Sequence, residues 1–274
     1  MEKFTNPEFI SVGSLAKTIG SPKREQTDLL AGETYVMYGE KGYAFELTFL
    51  EGKEITYERE GEKAFTSAAN IYLIADDVFF IDFINTENIK ESHSLILDLE
   101  EGIATHMIGT LPSKEEYSYS LFERAEKKLC LSPVALTWEH LAVNTPFDSE
   151  TKRHEQTTDL VGKRFLWHYT EDETYEHNYL SESFYTWFCH SGSEKGLCDT
   201  DRCFYFKIRE GLYYFIWIEK IIPTLGMVVE DAVNMKTWGK LYGYKGYEQG
   251  EIVNCQMAAE GEQIVPNFTM ISRG

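Results

Sequence analysis

A glutamate at the end of an apolar strand is the residue of this sequence best placed to do chemistry. Glu219 follows Trp217 by two positions in the run beginning at Tyr213, so carboxyl and indole share one strand face. Such a carboxyl is either at a barrel mouth in water, paired with a neighbour such as Lys220, or inside with a raised pKa. Inside, it can serve as a general acid or base. A second concentration of candidate groups lies upstream, between Leu160 and Gly192. Trp167 and Tyr169 alternate along one segment, Tyr175, His177 and Tyr179 along the next, and Tyr185, Trp187 and Cys189 along a third. The face they form is too polar for a plain core and too aromatic for a solvent surface. It suits a small-molecule pocket, in which phenols and an imidazole orient a polar group and indoles stack. The alternative is a barrel core that uses tyrosine as filler, each hydroxyl reaching the rim. His177 lies on the tyrosine face, His168 on the opposite and exposed one, and His190 at a strand end near a rim.

Other chemistries lack their signatures. The chain has no GxSxG elbow, no HExxH, no phosphate-binding P-loop and no GxGxxG opening a helix. Its cysteines are Cys130, Cys189, Cys198, Cys203 and Cys255, with no CxxC pair; Cys198 and Cys203 near His190 make only a weak zinc pattern. No metal and no cofactor are expected. The odd cysteine count, together with an opening MEKFTNPEF that has no apolar leader, points to reduced thiols and a cytoplasmic location. A formal net charge of -19 argues against nucleic acid and anionic membrane as partners. The most apolar run, Leu212 to Val229, is broken by Glu219, Lys220 and Pro223, so no membrane span is expected.

The elements that must position these residues are strands. The aromatic share of 14% favours β-structure. Residues 1–27 read as an N-terminal arm. Alternating runs follow at Thr34–Tyr38, Tyr43–Phe49, Glu54–Arg59, Asn70–Ile74, Val78–Ile84, Ser94–Leu99 and Ile103–Ile108, divided by turns such as Glu51-Gly52-Lys53. That succession predicts an up-and-down antiparallel barrel. Ser113 and Glu116 form a capping box, and Tyr117, Leu121, Phe122, Ala125 and Leu129 recur at helical spacing, so one connecting helix is predicted over 114–129. It is expected to pack on a barrel or plug an open end. Residues 130–155 read as a connection, and the polar run Asp148–Glu155 as the domain boundary.

The second half restarts the first. Glu25-Gln26-Thr27-x-x-Leu30-x-Gly32 returns as Glu155-Gln156-Thr157-x-x-Leu160-x-Gly162, and the run from Asp77 to Phe83 echoes the run from Gly211 to Trp217. The fold expected is therefore mostly β: two tandem antiparallel barrels, an N-terminal domain over 28–147 including the connecting helix, and a C-terminal domain over 148–274. The copies differ where chemistry would matter. Trp167 and Tyr169 stand where the first copy has Met37 and Gly39, and Glu219 where it has Asn85.

The C-terminal half resembles the phenolic acid decarboxylases, a family of small lipocalin-like barrels. The resemblance rests on Leu160-x-Gly162-Lys163-x-Phe165-x-x-x-Tyr169, Tyr175-Glu176 and His190-Ser191-Gly192, and resumes at Glu210-Gly211-Leu212-Tyr213 with Trp217-x-Glu219. In that family two tyrosines of the first strand hold the substrate carboxylate, a glutamate acts on the conjugated system, and an arginine assists. The resemblance implies that Tyr169 is the second tyrosine and Glu219 the glutamate. The first tyrosine position holds Trp167, and the nearest cation in the arginine region is Lys195. Over residues 5–270 the duplicated chain also resembles the MoaF family, whose two domains are both of this type and whose name refers to molybdenum cofactor biosynthesis. These resemblances imply that both barrels are of the lipocalin-like (calycin-like) type.

Together these readings point to a lyase or isomerase acting on a conjugated or aromatic acid-type substrate in the C-terminal barrel. Glu219 and Tyr169 would be catalytic; Trp167, Tyr175, His177, Tyr179, Trp187, Lys195 and Trp217 would bind substrate. A non-catalytic lipocalin-like carrier using the same pocket, and an accessory protein of molybdenum cofactor biosynthesis, stand as alternatives. The partners expected are a small aromatic or conjugated molecule and, as an open option, a second copy in a homodimer.

Overall fold

Strand alternation, which puts successive side chains on opposite faces, builds almost all of this protein. The computed structural model describes residues 8–20 and 24–265. Residues 1–7, 21–23 and 266–274, including Pro22 of the arm, lie outside the described residues. The first eight strands are β1 Thr34–Gly39, β2 Ala44–Leu50, β3 Glu54–Arg59, β4 Phe65–Ala75, β5 Val78–Ile84, β6 Glu91–Asp98, β7 Ile103–Thr110 and β8 Ala135–Val143. They pair antiparallel in chain order, and β1 closes the barrel on β8. The second set is β9 Arg164–His168, β10 Thr174–Tyr179, β11 Phe184–Ser191, β12 Cys198–Arg209, β13 Leu212–Glu219, β14 Thr224–Asp231, β15 Lys236–Tyr244, β16 Ile252–Met257 and β17 Glu260–Gln263. Here β16 and β17 behave as one strand bent at Ala258 and Ala259. β16 pairs with β15 and β17 with β9, which closes the second barrel. The mostly-β, tandem-barrel architecture expected from the sequence is the one observed.

The repeated sequence makes repeated structure. Gly32 donates its N–H to Phe49 O at 2.8 Å, and Gly162 donates to Tyr179 O at 2.8 Å. Both glycines sit at positive φ, 85° and 84°, where a Cβ would be strained. Thr27 N bonds Ile71 O in the first half and Thr157 N bonds Tyr205 O in the second. The ladder carries a bulge at Leu73/Ala75 between β4 and β5, and another at Lys207/Arg209 between β12 and β13.

Two expectations need correction. Residues 130–155 are not only a connection, because they hold β8, the strand that closes the first barrel. Nor is there one helix over 114–129. Two short helices form instead, α2 Lys114–Ser118 and α3 Leu121–Glu126. Ser120 breaks the run: its hydroxyl accepts from Glu123 N at 3.2 Å while the Glu123 carboxylate accepts from Ser120 N at 2.8 Å, a second capping box that restarts the helix. No residue of α2 is buried, and neither helix plugs a barrel. The plug comes from the N-terminal arm. Helix α1, Val12–Ile19, is capped by Ser11 and Gly20 and lies against β15 and β16 of the second barrel. Gly13 permits that approach, since a Cβ there would come within 2.7 Å of Lys245 O, which already accepts from Gly13 N.

Three cores result. One fills each barrel, and a third lies between the barrels, where Tyr72, Phe80, Ile96 and Met107 meet Phe206, Tyr214, Ile216 and Met227. β5 and β13 are therefore covered on both faces, which explains why each reads as an unbroken apolar run. The interface also buries charge. Lys240 Nζ bonds Asp82 Oδ1 and Ser92 Oγ, while Asn254 and Gln256 donate to Asp82 Oδ2 at 2.6 and 2.8 Å. Among the described residues no helix is long and apolar enough to cross a membrane.

Candidate functional site

The side chains singled out in the second half converge inside the C-terminal barrel. On β9, β10 and β11 the alternate residues Trp167, Tyr175, His177, Tyr179, Tyr185 and Trp187 all point inward, and Tyr169 follows β9 on the same side. β13 adds Phe215 and Trp217 from the opposite wall. The rings meet mostly edge to face, as their quadrupoles favour: His177 lies 5.9 Å from Trp217 and 5.3 Å from Tyr185, and Tyr169 lies 5.8 Å from Tyr175. Two glycines make room for the indoles. Gly226 is the cross-strand partner of Trp217 and Gly261 that of Trp167, and a Cβ at either would collide with the ring.

Between these rings and α1 is a cavity of about 40 Å³. Tyr169, Tyr175, Tyr185, Trp187 and Trp217 line it, with His177, Glu194 and Glu219 as its other polar members. Leu15 and Ile19 of α1 close the mouth, beside Leu241 and Met257. The space holds a few water molecules and no aromatic ring. A ligand of any size enters only as these two side chains give way.

Glu219 is at the centre of the cavity chemistry. Trp217 Nε1 donates to its Oε1 at 2.9 Å. The carboxyl keeps a small exposed edge, yet its surroundings are apolar or acidic. Desolvation and then the nearby charge of Asp201 push its pKa well above the usual carboxylate range; the Trp217 bond pulls the other way, and Glu194 and Asp199 add smaller upward contributions. Glu194, buried, also has a raised pKa, chiefly from burial. Tyr175 OH donates to its Oε2 at 3.2 Å, and Ile10 N of the arm reaches its Oε1 at 3.4 Å. The turn that carries Glu194 is gripped by Glu173, which accepts from Ser193 N at 2.9 Å and Ser193 Oγ at 2.7 Å. Burial raises the phenol pKa values of Tyr169, Tyr175 and Tyr185, so these hydroxyls are neutral donors. Asp201 stands just outside the lining. It accepts from Trp187 Nε1 at 3.2 Å and from Lys220, whose ammonium is shared with Asp199.

Deeper in the barrel is a second polar group that includes a residue sequence reasoning missed. Glu230 is fully buried and accepts from Tyr179 OH at 2.5 Å. His177 Nδ1 lies 3.8 Å from Glu230 Oε1. His177 Nδ1, Glu230 Oε2 and Trp167 Nε1 are buried without a hydrogen-bond partner. Trp167 and Tyr179 thus belong to this deeper layer and do not line the cavity. Lys195 is exposed and also stands outside the lining. His190 faces outward and pairs with Glu176 at 2.9 Å, alongside Arg164. Cys198 is exposed, while buried Cys203 donates to Tyr205 OH, so the two do not share a site.

Sequence reasoning also missed Glu194 and the α1 residues Leu15 and Ile19. The available signals were faint: an acidic residue in the turn after an aromatic strand, and an apolar i, i+4 pair in a short segment. In the first barrel the interior holds a relay unlike anything in the second. Glu91 Oε1 meets His93 Nε2 at 3.0 Å, His93 Nδ1 meets His106 Nε2 at 2.9 Å, and Tyr43 OH is 3.4 Å from His106 Nδ1.

The chain matches two family models, the MoaF N-terminal domain over residues 7–113 and the MoaF C-terminal domain over 154–266. It is 33% identical over 254 residues to Protein MoaF of Klebsiella aerogenes, covering 92% of this chain and 93% of that one. Among solved structures, a chain from Burkholderia vietnamiensis described provisionally as a beta-lactamase is 10% identical. It covers 40% of this chain and 100% of its own at a TM-score of 0.34, a likeness that carries no argument.

Proposed function

This chain belongs to the MoaF family, and from that premise we propose that its C-terminal barrel is a small-molecule site in which Glu219 transfers a proton. The observation that carries this reading is the Glu219 carboxyl itself, set in an aromatic cavity and oriented by Trp217 Nε1 at 2.9 Å, with burial and neighbouring acids raising its pKa. A carboxyl poised nearer neutrality gives up or accepts a proton at little cost, a contribution of about 10²–10⁴-fold in rate. The reaction class that fits is a lyase or isomerase step on an aromatic or conjugated compound. The phenols of Tyr169 and Tyr175 hydrogen-bond its polar group, and Trp187 and Trp217 cover its apolar body. Leu15 and Ile19 withdraw on entry and return to exclude water.

The test begins with a ligand screen read by quenching of Trp187 and Trp217, followed by turnover of each binder by chromatography. Glu219→Gln keeps the shape and removes the titrating proton. Binding within about tenfold of wild type with nearly all turnover lost supports the acid–base role. Undiminished turnover in Glu219→Gln overturns it. Binding with no turnover in either protein makes the barrel a carrier.

A further inference from the structure

Resting on the reading of the C-terminal barrel as a ligand site, we propose that the ligand is a small organic cation: a primary ammonium on an apolar or aromatic body. Glu194 and Glu219 receive the ammonium, and Trp187, Trp217 and Tyr185 enclose the body. Among the described residues the cavity lining contains two carboxyls, three phenols and two indoles, and no lysine or arginine. Its one basic ring is His177, 3% exposed, whose partnerless Nδ1 lies 3.8 Å from the Glu230 carboxyl. The nearest ammonium, Lys220, is committed to Asp199, Asp201 and Thr200 O. Glu173, Asp199 and Asp201 add further carboxyls at the same end of the barrel.

A carboxylate ligand entering this space would shed its water and meet two acids with no lysine or arginine to pair with, a costly way to bury an ion. An ammonium meets the reverse. Two carboxyls accept its N–H groups, and indole faces attract its charge. Among the described residues Glu194 accepts two long bonds, 3.4 Å from Ile10 N and 3.2 Å from Tyr175 OH, and Glu219 accepts one, from Trp217 Nε1 at 2.9 Å, so both carboxyls keep accepting capacity. Entry is an ion exchange. As the ammonium pairs with the Glu219 carboxylate, any proton that carboxyl carries passes to water or buffer, so charge in the cavity balances.

The test uses the full chain and three probes of matched size: phenethylamine, 2-phenylethanol and 3-phenylpropionate. Tryptophan quenching and calorimetry at neutral pH are expected to rank the ammonium about tenfold tighter than the alcohol and the carboxylate weakest. Calorimetry in two buffers of different ionisation enthalpy is expected to show proton release with the ammonium alone. Glu194→Gln and Glu219→Gln are each expected to weaken the ammonium by about tenfold and leave the alcohol within roughly threefold. Equal or tighter binding of 3-phenylpropionate, or of the alcohol, overturns the charge assignment and leaves the ligand site standing. Binding of none of the three, by wild type or by a variant with a widened mouth such as Ile19→Ala, overturns both.

Discussion

Ile19→Ala separates the two jobs assigned to α1, since it should weaken the fold and improve the site. Ile19 is 3% exposed in the last turn of the helix and lines the cavity. Truncating a buried isoleucine costs about 2–5 kcal/mol. The low end applies here, because α1 is short and held to the barrel by few polar contacts, among them Gly13 N to Lys245 O at 2.9 Å and Thr18 Oγ1 to Ser193 Oγ at 3.3 Å. That loss is set mainly by the transfer of the three removed carbons, with a further term for whatever hole the neighbours leave open. Whatever part of the removed side-chain volume the neighbours do not take up adds to the existing cavity of about 40 Å³, towards the ~150 Å³ that admits a benzene ring. The expected result is a Tm lower by about 5 °C in calorimetry. Binding of 2-phenylethanol, read by tryptophan quenching, should tighten by about tenfold because the mouth no longer has to be cleared. Unchanged stability would mean that α1 is not seated on the barrel. Lost stability without any gain in binding would mean that it does not guard the entrance.

Other perturbations address separate parts of the account. Gly226→Ala puts a Cβ 2.0 Å from Trp217 Cε2, so the indole must move; a loss of about 1–3 kcal/mol and a red shift of tryptophan emission are expected, and wild-type emission would contradict the packing. Asp82→Asn strands the buried Lys240 ammonium between the barrels and should cost about 3–5 kcal/mol in denaturant unfolding, much of it regained in the double variant with Lys240→Met; a cost below 1 kcal/mol would contradict the burial. Because the Glu219 pKa is raised above its ordinary 4.5 in the folded state, the native protein binds more protons than the unfolded chain, and stability falls as pH rises from that value through the folded pKa at about 1.4 kcal/mol per unit. Glu219→Gln should therefore raise Tm at pH 8 by more than at pH 5, and a pH-independent difference would refute the desolvation.

How much of this was legible depended on whether a strand has one wet face. β2 and β3 alternate buried and exposed residues, and their register could be read directly. β8 was hidden because it follows Pro133 and its inward positions include Glu139, which interrupts the apolar beat. The duplication was visible in the Leu-x-Gly turns, whose backbone requirement permits little substitution. Trp217 and Glu219 were legible as a same-face pair. Glu230 was not, because β14 is buried on both faces and nothing in Met227-Val228-Val229-Glu230 marks which side is which. Glu194 lies in a turn, where no periodicity says that a side chain folds inward. The role of α1 was out of reach for a different reason: a helix of 8 residues gives a short pattern, and nothing local says that it crosses to the barrel of the other half. Gly226 and Gly261 were the overlooked clue to the indoles, since each leaves the space that a ring on the neighbouring strand takes up.

The central claim is that the Glu219 carboxyl is held inside the C-terminal barrel in its neutral form, and it can be measured at that atom. Protein labelled with ¹³C at the glutamate side-chain carboxyl would be titrated by NMR, with the Glu219 resonance assigned by its disappearance in Glu219→Gln. The account predicts that this carboxyl titrates well above the ordinary glutamate value of 4.5, the last of the cavity acids to ionise. A midpoint at or below 4.5 would place an ionised, solvated carboxylate at the barrel mouth and contradict the account.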